Sequence, residues 1–453
     1  MNTEKAKQQH LKMTEGAIPS LILRLSLPTT VGMLVTALYS LADAFFVSAL
    51  GTEASAAVGV TFAIQALIQA VGYTLGLGAG SLMSRRLGEK RDEEAAEYAR
   101  ISFWLSILCG MAILFAGLFW GGPIIRLLGA TESIYPYALA YARFLFFSTP
   151  FMCVAFVLSQ LLRAEGKAVY SMVGLVVGSL LNILLDPLFI HTLHMGISGA
   201  SFATLISQVV SVSVLLSAYL FKKSQIHLFH RVSFAGFSKV SAILLTGLPS
   251  AFRQGLTVLA TVLLNRAAGA WGDAAVAAIS AVTRLFLLAF SICLGVGQGM
   301  MPVVGYSYGF GNRRRVRQAF LFAILLSAVS MLAISIPFWV YADKLVMLLR
   351  NDAAVIEIGT YGLRLQCYVF VCHGLITCTI MLLQAIGKRF SSAFLASARQ
   401  GLFFVPLIFL LPTWVGEKGV LFVQPIADAL TFVLALGFAI YHLHSLKKTE
   451  KKH

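Results

Sequence analysis

The sequence predicts an all-α integral membrane protein with twelve transmembrane helices, arranged as two six-helix repeats. Three observations carry that prediction. First, 58% of the 453 residues are hydrophobic and 12% are charged, with a mean hydropathy of +0.83, outside the range of a soluble globular domain. Second, the apolar residues gather into twelve runs of about 20 residues or more, the length of helix that crosses a hydrocarbon core. Third, one constant offset carries Pro28 onto Pro249, Gly76 onto Gly297, Gly88 onto Gly309, Arg143 onto Arg364, Gly166 onto Gly387 and Ser171 onto Ser392. A self-similarity sustained over so long a stretch marks an internal repeat.

The spans lie near 21–50, 55–83, 98–120, 136–162, 168–191 and 197–221 in the first half. In the second they lie near 240–269, 275–304, 317–340, 357–385, 390–412 and 418–445. Strands of a closed barrel would alternate over about ten residues and would not give such unbroken runs. The chain therefore divides into a polar lead (1–20), a first lobe (21–221), a polar linker (222–239), a second lobe (240–445) and a short basic tail (446–453). Residues 1–15 are lysine-rich without the apolar core of a secretory signal, and are expected to be a cytoplasmic lead.

The net charge of +16 is explained by topology rather than by nucleic-acid binding. Roughly 26 of the 35 Lys and Arg fall in the N-terminal lead, alternate loops and the C-terminal tail, and about five in the opposite loops. Arg85, Arg86, Lys222, Lys223, Arg313, Arg314, Arg315, Lys388 and Arg389 belong to the rich set. The asymmetry places both termini in the cytoplasm of a multi-pass protein of the cell inner membrane. All six cysteines sit inside predicted spans, which argues for small apolar packing and against a disulfide framework. The runs Gly76-Leu-Gly78-Ala-Gly80 and Gly295-Val-Gly297-Gln-Gly299 follow no strand, so they read as close helix packing and not as a dinucleotide loop.

Polar residues inside spans are the functional candidates, because a carboxylate at the bilayer centre costs roughly 2.5–3.5 kcal/mol on insertion scales. Asp186 stands in NILLDPLFI, with Asn182 one helical turn before it on the same face. Pro187 removes a backbone donor and frees the carbonyl of Ile183 beside the carboxylate, so a bend is expected there. Asp43 stands in the first span, with Tyr39 one turn earlier. At 1.5 Å per residue, Asp43, Tyr141, Asp186 and Thr204 all lie roughly 8–10 Å from the outer ends of their spans, so four helices bring them to one level. Two carboxylates at close range in low dielectric repel unless a cation or proton compensates, so this cluster should bind Na+ or H+.

The repeat does not carry the cluster into the second half. Asp43 meets Leu264, Asp186 meets Leu407 and Asn182 meets Phe403. The second half offers Arg253, Arg284 and Asp428 near mid-depth instead, expected either to neutralise one another or to line a substrate cavity. Met300 and Met301 could add an adaptable apolar wall, although methionines at such spacing more often fill a core.

Twelve spans in two repeats, Pro28 and Asp43 in the first span, the GLGAGSLMSRRLG stretch and its counterpart GVGQGMMPVVGYSYGFGN resemble the multidrug and toxin extrusion (MATE) family. NILLDPLFI is most similar to its DinF-like branch. The resemblance implies a V-shaped two-lobe bundle and a cation site formed by Asp43, Asn182, Asp186 and Thr204, with Tyr39 and Tyr141 in its hydrogen-bond shell. It also implies bending of the first span near Pro28. The function so implied is a monomeric secondary antiporter with no cofactor beyond the coupling Na+ or H+, exporting amphipathic, often cationic, drug-like molecules. Arg253 and Arg284 motivate an alternative, a flippase or exporter for an anionic or lipid-linked substrate. A membrane-embedded enzyme would need a nucleophile, metal ligands or an acid/base pair near a cleft; His191 and His194 form only a weak metal-binding pattern.

Overall fold

The computed structural model describes residues 3–221, 224, 226–229 and 237–450. The first half comprises α1 (Thr3–Glu15), α2 (Ile18–Ser48), α3 (Thr52–Gly88), α4 (Asp92–Leu127), α5 (Tyr135–Ala164), α6 (Ala168–Pro187) and α7 (Ile197–Leu220). The second comprises α8 (Phe237–Gly269), α9 (Asp273–Gly309), α10 (Arg313–Val340), α11 (Ala342–Leu349), α12 (Ala353–Val369), α13 (Cys372–Ala385), α14 (Arg389–Ser397), α15 (Phe404–Val415) and α16 (Glu417–Glu450). Two π-helical turns interrupt this pattern. One, Leu188–Thr192, extends α6; the other, Ala398–Phe403, joins α14 to α15.

Among the described residues ten spans are long and apolar enough to cross a membrane, one of them Arg389–Val415, which joins α14 to α15 through the π turn, and α12 with α13 forms an eleventh across a bend of 54°. The twelfth expected span is α8. Its 33 residues reach across a bilayer, but Lys239, Arg253, Gln254 and Arg266 lower its hydropathy. The lead is not a simple tail: α1 seats Met13 in the core and α2 already begins at Ile18. Its Gln9 Nε2 donates to the Glu165 carbonyl (3.0 Å) and its His10 ring lies 5.8 Å from that of Phe310. Periodicity within a short polar lead could not announce a helix whose stability comes from docking.

Of the expected linker, residues 224 and 226–229 are described and 237–239 open α8. The remainder, including Lys222 and Lys223, lies outside the described residues, as do 451–453 of the tail. Ile226 and Leu228 are buried, and Arg100 Nε donates to the His227 carbonyl at 2.9 Å.

The lobes are fastened by α2 against α9 and α3 against α8. Both glycine runs serve this packing. A Cβ on Gly78 would stand 2.2 Å from the Ile243 carbonyl oxygen of α8, and one on Gly299 2.4 Å from Ser26 Oγ of α2. No other residue type lets backbones approach so closely. Among the described residues, hydrogen bonds between the lobes run from Lys239–Glu97 at the end carrying the basic loops to Gln254–Gln69 at mid-depth, and none lies beyond. Met300 and Met301 are buried in the core, where they fill space between helices.

Candidate functional site

The first-lobe cluster forms where α2, α3, α5, α6 and α7 converge. Asp43 and Asp186 are both buried, Asp186 completely. Tyr141 Oη donates to Asp43 Oδ2 at 3.4 Å and receives a bond from Gln65 Nε2 at 3.2 Å. The Asn182 amide satisfies its neighbours when its nitrogen donates to Asp186 Oδ2 (3.3 Å) and its oxygen accepts from the Thr204 hydroxyl (3.3 Å) and backbone amide (3.2 Å). Tyr39 lies within electrostatic reach of both carboxylates, which in turn feel each other's charge.

The structure thus brings Tyr39, Asp43, Tyr141, Asn182, Asp186 and Thr204 together in the first lobe. Gln65, which orients Tyr141, was not foreseen; a glutamine inside an apolar span was its only signal. Asp43 Oδ1 and Asp186 Oδ1 are buried and, among the described residues, accept no hydrogen bond. A carboxylate accepts at both oxygens, and burying one without donors is costly. The donor set of carboxylate, amide and hydroxyl oxygens suits a hard cation such as Na+, and the same two carboxylates suit a shared proton.

Two prolines were expected to bend helices here. Pro187 ends α6 and the chain passes at once into the π turn Leu188–Thr192, which carries His191. α2 runs unbroken through Pro28. Around it, Ser26 Oγ donates to the Val296 carbonyl (3.3 Å) and Thr30 abuts Gly295 of α9. α2 thus holds Asp43 at one end and the seam between the lobes at the other.

The second-lobe set differs from expectation. Asp428 is fully buried, yet it is met by neither Arg253 nor Arg284. Instead Oδ1 accepts from Arg399 Nε (2.7 Å) and Gln424 Nε2 (2.8 Å), and Oδ2 from Gln366 Nε2 (2.8 Å). His373 Nε2 lies 3.2 Å from Oδ2. Arg253 stands on α8 with its guanidinium 6.0 Å from the Tyr73 ring centroid, and Arg284 is exposed. Depth along a helix places a residue's level but not its direction, which is why the partners of Asp428 were misjudged.

The comparisons with known proteins agree with this architecture. The MatE family model matches twice, over residues 28–188 and 249–410, beginning at the same offset as the internal repeat. The multidrug export protein MepA of Staphylococcus haemolyticus is 27% identical over 447 residues, 98% of each chain. That of Staphylococcus aureus is 24% identical over 416 residues, 92% of each. Among solved structures, the outward-facing conformation of a multidrug resistance MATE family transporter of the MOP superfamily superposes with a TM-score of 0.92 at 30% identity, over 97% of this chain and 98% of that one. A MOP superfamily transporter from Pyrococcus furiosus, described as having a binding pocket of reverse polarity, gives 0.90 at 29%, over 96% and 98%. Matched twice along most of its length, the chain belongs to the MatE family.

Proposed function

We propose that the protein is a multidrug efflux antiporter that exports amphipathic, often cationic, organic molecules in exchange for Na+ or H+ bound at Asp43, Asn182, Asp186 and Thr204. Its relatives along nearly their whole length are named multidrug export proteins. We place it in the plasma membrane as a monomer with both termini in the cytoplasm, following the charge of the loops, and with the DinF-like branch on its NILLDPLFI segment. An enzyme reading finds no support in a family of transporters.

The observation that carries the coupling is the pair of buried carboxylates, each with an oxygen that no group among the described residues satisfies. Binding a cation there, or one proton, changes the charge of a buried cluster and so biases one arrangement of the surrounding helices. α2 transmits that bias, because it carries Asp43 at one end and meets α9 through Ser26 and Thr30 at the other. Pro28 between them leaves the Arg24 carbonyl without its helical donor, so α2 flexes there at low cost. One charge crossing 100 mV supplies about 2.3 kcal/mol, enough for roughly a fiftyfold gradient of a neutral substrate.

Purified protein in liposomes tests this with a fluorescent cationic dye, driven in turn by a Na+ gradient and a pH gradient. We expect one gradient to drive export, and Asp43→Asn and Asp186→Asn each to reduce it by about a hundredfold or more. Undiminished transport by folded variants would remove the cluster from the coupling mechanism.

A further inference from the structure

The second-lobe network borders a pocket that cation coupling does not use. Arg253, His373, Arg399 and Gln400 supply its polar wall, and residues such as Leu77 and Met381 its apolar one. Charge in this wall does not balance. Arg253 and Arg399 lie within electrostatic reach of each other, and the one carboxylate beside them, Asp428, engages Arg399 through Nε. Among the described residues, no carboxylate pairs with Arg253 or with the terminal nitrogens of Arg399. A guanidinium removed from water without a counter-ion is unfavourable, so membrane-embedded arginines usually have a partner or a ligand.

Two further observations point the same way. His373 is fully buried with its Nε2 beside Asp428, and its Nδ1 has no hydrogen-bond partner among the described residues. Arg399 and Gln400 both belong to the π turn Ala398–Phe403, an irregularity that helices tolerate mainly at functional sites.

We propose that this pocket is an anion subsite that takes the carboxylate of an amphipathic organic molecule. Arg253 forms the charge-assisted pair, and Arg399 flanks it while held in place by Asp428. The apolar wall holds the hydrocarbon or aromatic body. Arg253, Arg399 and Asp428 together leave one positive charge, which matches a monoanion and not a dianionic phosphate. The substrates so defined carry an acidic group, which extends the export reading to anionic and zwitterionic molecules. Binding itself depends on no ion gradient, so failure of the antiport assay and failure of this site are separate results.

The test uses the full chain in phosphatidylcholine nanodiscs and equilibrium dialysis of 1-naphthoate, beside 1-naphthol and 1-naphthyl phosphate. We expect naphthoate to bind about tenfold or more tightly than naphthol. Arg253→Gln should abolish that preference, Arg253→Lys should restore most of it, and Arg284→Gln should bind as the wild type does. Equal affinity of the wild type for naphthoate and naphthol overturns the proposal without recourse to any variant, as does a folded Arg253→Gln protein that keeps the preference. Tighter binding of the phosphate overturns the monoanion assignment. Loss of naphthoate binding when phosphatidylglycerol replaces phosphatidylcholine would give the pocket to a lipid headgroup instead.

Discussion

The two lobes share a backbone plan and hold opposite charge. In the first, Asp43 and Asp186 feel each other's charge, with donors from Tyr141 and Asn182 and, among the described residues, no basic side chain bonded to them. In the second, Asp428 is enclosed by Arg399, Gln366 and Gln424, with Arg253 nearby and unpaired. Neither cluster survives translation along the repeat: Asp186 becomes Leu407, while Arg399 corresponds to Gly178, Asp428 to Ser207 and Arg253 to Gly32. Yet each lobe places a π turn in its fifth span beside its cluster, after Asp186 in one and bearing Arg399 in the other. Duplication supplied the scaffold, and separate substitutions gave one lobe a site lacking positive charge and the other a site lacking negative charge.

The largest test of that contrast applies one chemical change to both lobes. Asp428→Asn leaves Arg399 buried without its counter-charge, and we expect a loss of about 3–5 kcal/mol. Asp186→Asn in Na+-free buffer removes repulsion between two acids, so stability should hold or rise by about 1 kcal/mol. Thermal unfolding midpoints in detergent measure both. If the two substitutions destabilised the protein equally, the first-lobe carboxylates would be compensated as fully as Asp428, and the contrast would collapse.

Sodium sharpens the same comparison. If Na+ is the coupling ion, a concentration of a hundred times Kd should stabilise the wild type by about 2.7 kcal/mol by mass action. Asp428→Asn should keep the whole increment, and Asp43→Asn should lose it, whatever their absolute midpoints. An increment of equal size with choline chloride would reduce the effect to ionic strength and leave the proton as the coupling species.

How far each cluster could be read from the sequence follows from the same geometry. The helical spans and the meeting of the first-lobe residues were legible because carboxylates in apolar runs are conspicuous and because straight helices make depth a matter of counting. Asp43, Asn182, Asp186 and Thr204 then needed only to share a level. The second-lobe cluster was not legible, since its members meet across irregular backbone. The π turn Ala398–Phe403 sets the direction of Arg399, and the 54° bend before α13 brings His373 to Asp428. A regular helical wheel predicts neither. The docking of α1 was hidden for another reason: its Met13 is buried by contacts that only the assembled lobes provide.

The smallest expected effect discriminates among the arginines themselves. Depth alone grouped Arg284 with Arg253, but Arg284 is exposed and has no part in the Asp428 network or the adjoining pocket. Arg284→Gln should therefore change stability by no more than about 0.5 kcal/mol, the range of surface substitutions. Arg253→Gln, which removes an uncompensated charge from a half-buried position, should leave stability unchanged or raise it while altering ligand preference. Chemical denaturation of both variants in the same detergent measures this difference. A loss of several kcal/mol with Arg284→Gln would mean that the guanidinium neutralises a group inside the lobe, and the excess positive charge assigned to the pocket would then have to be recounted.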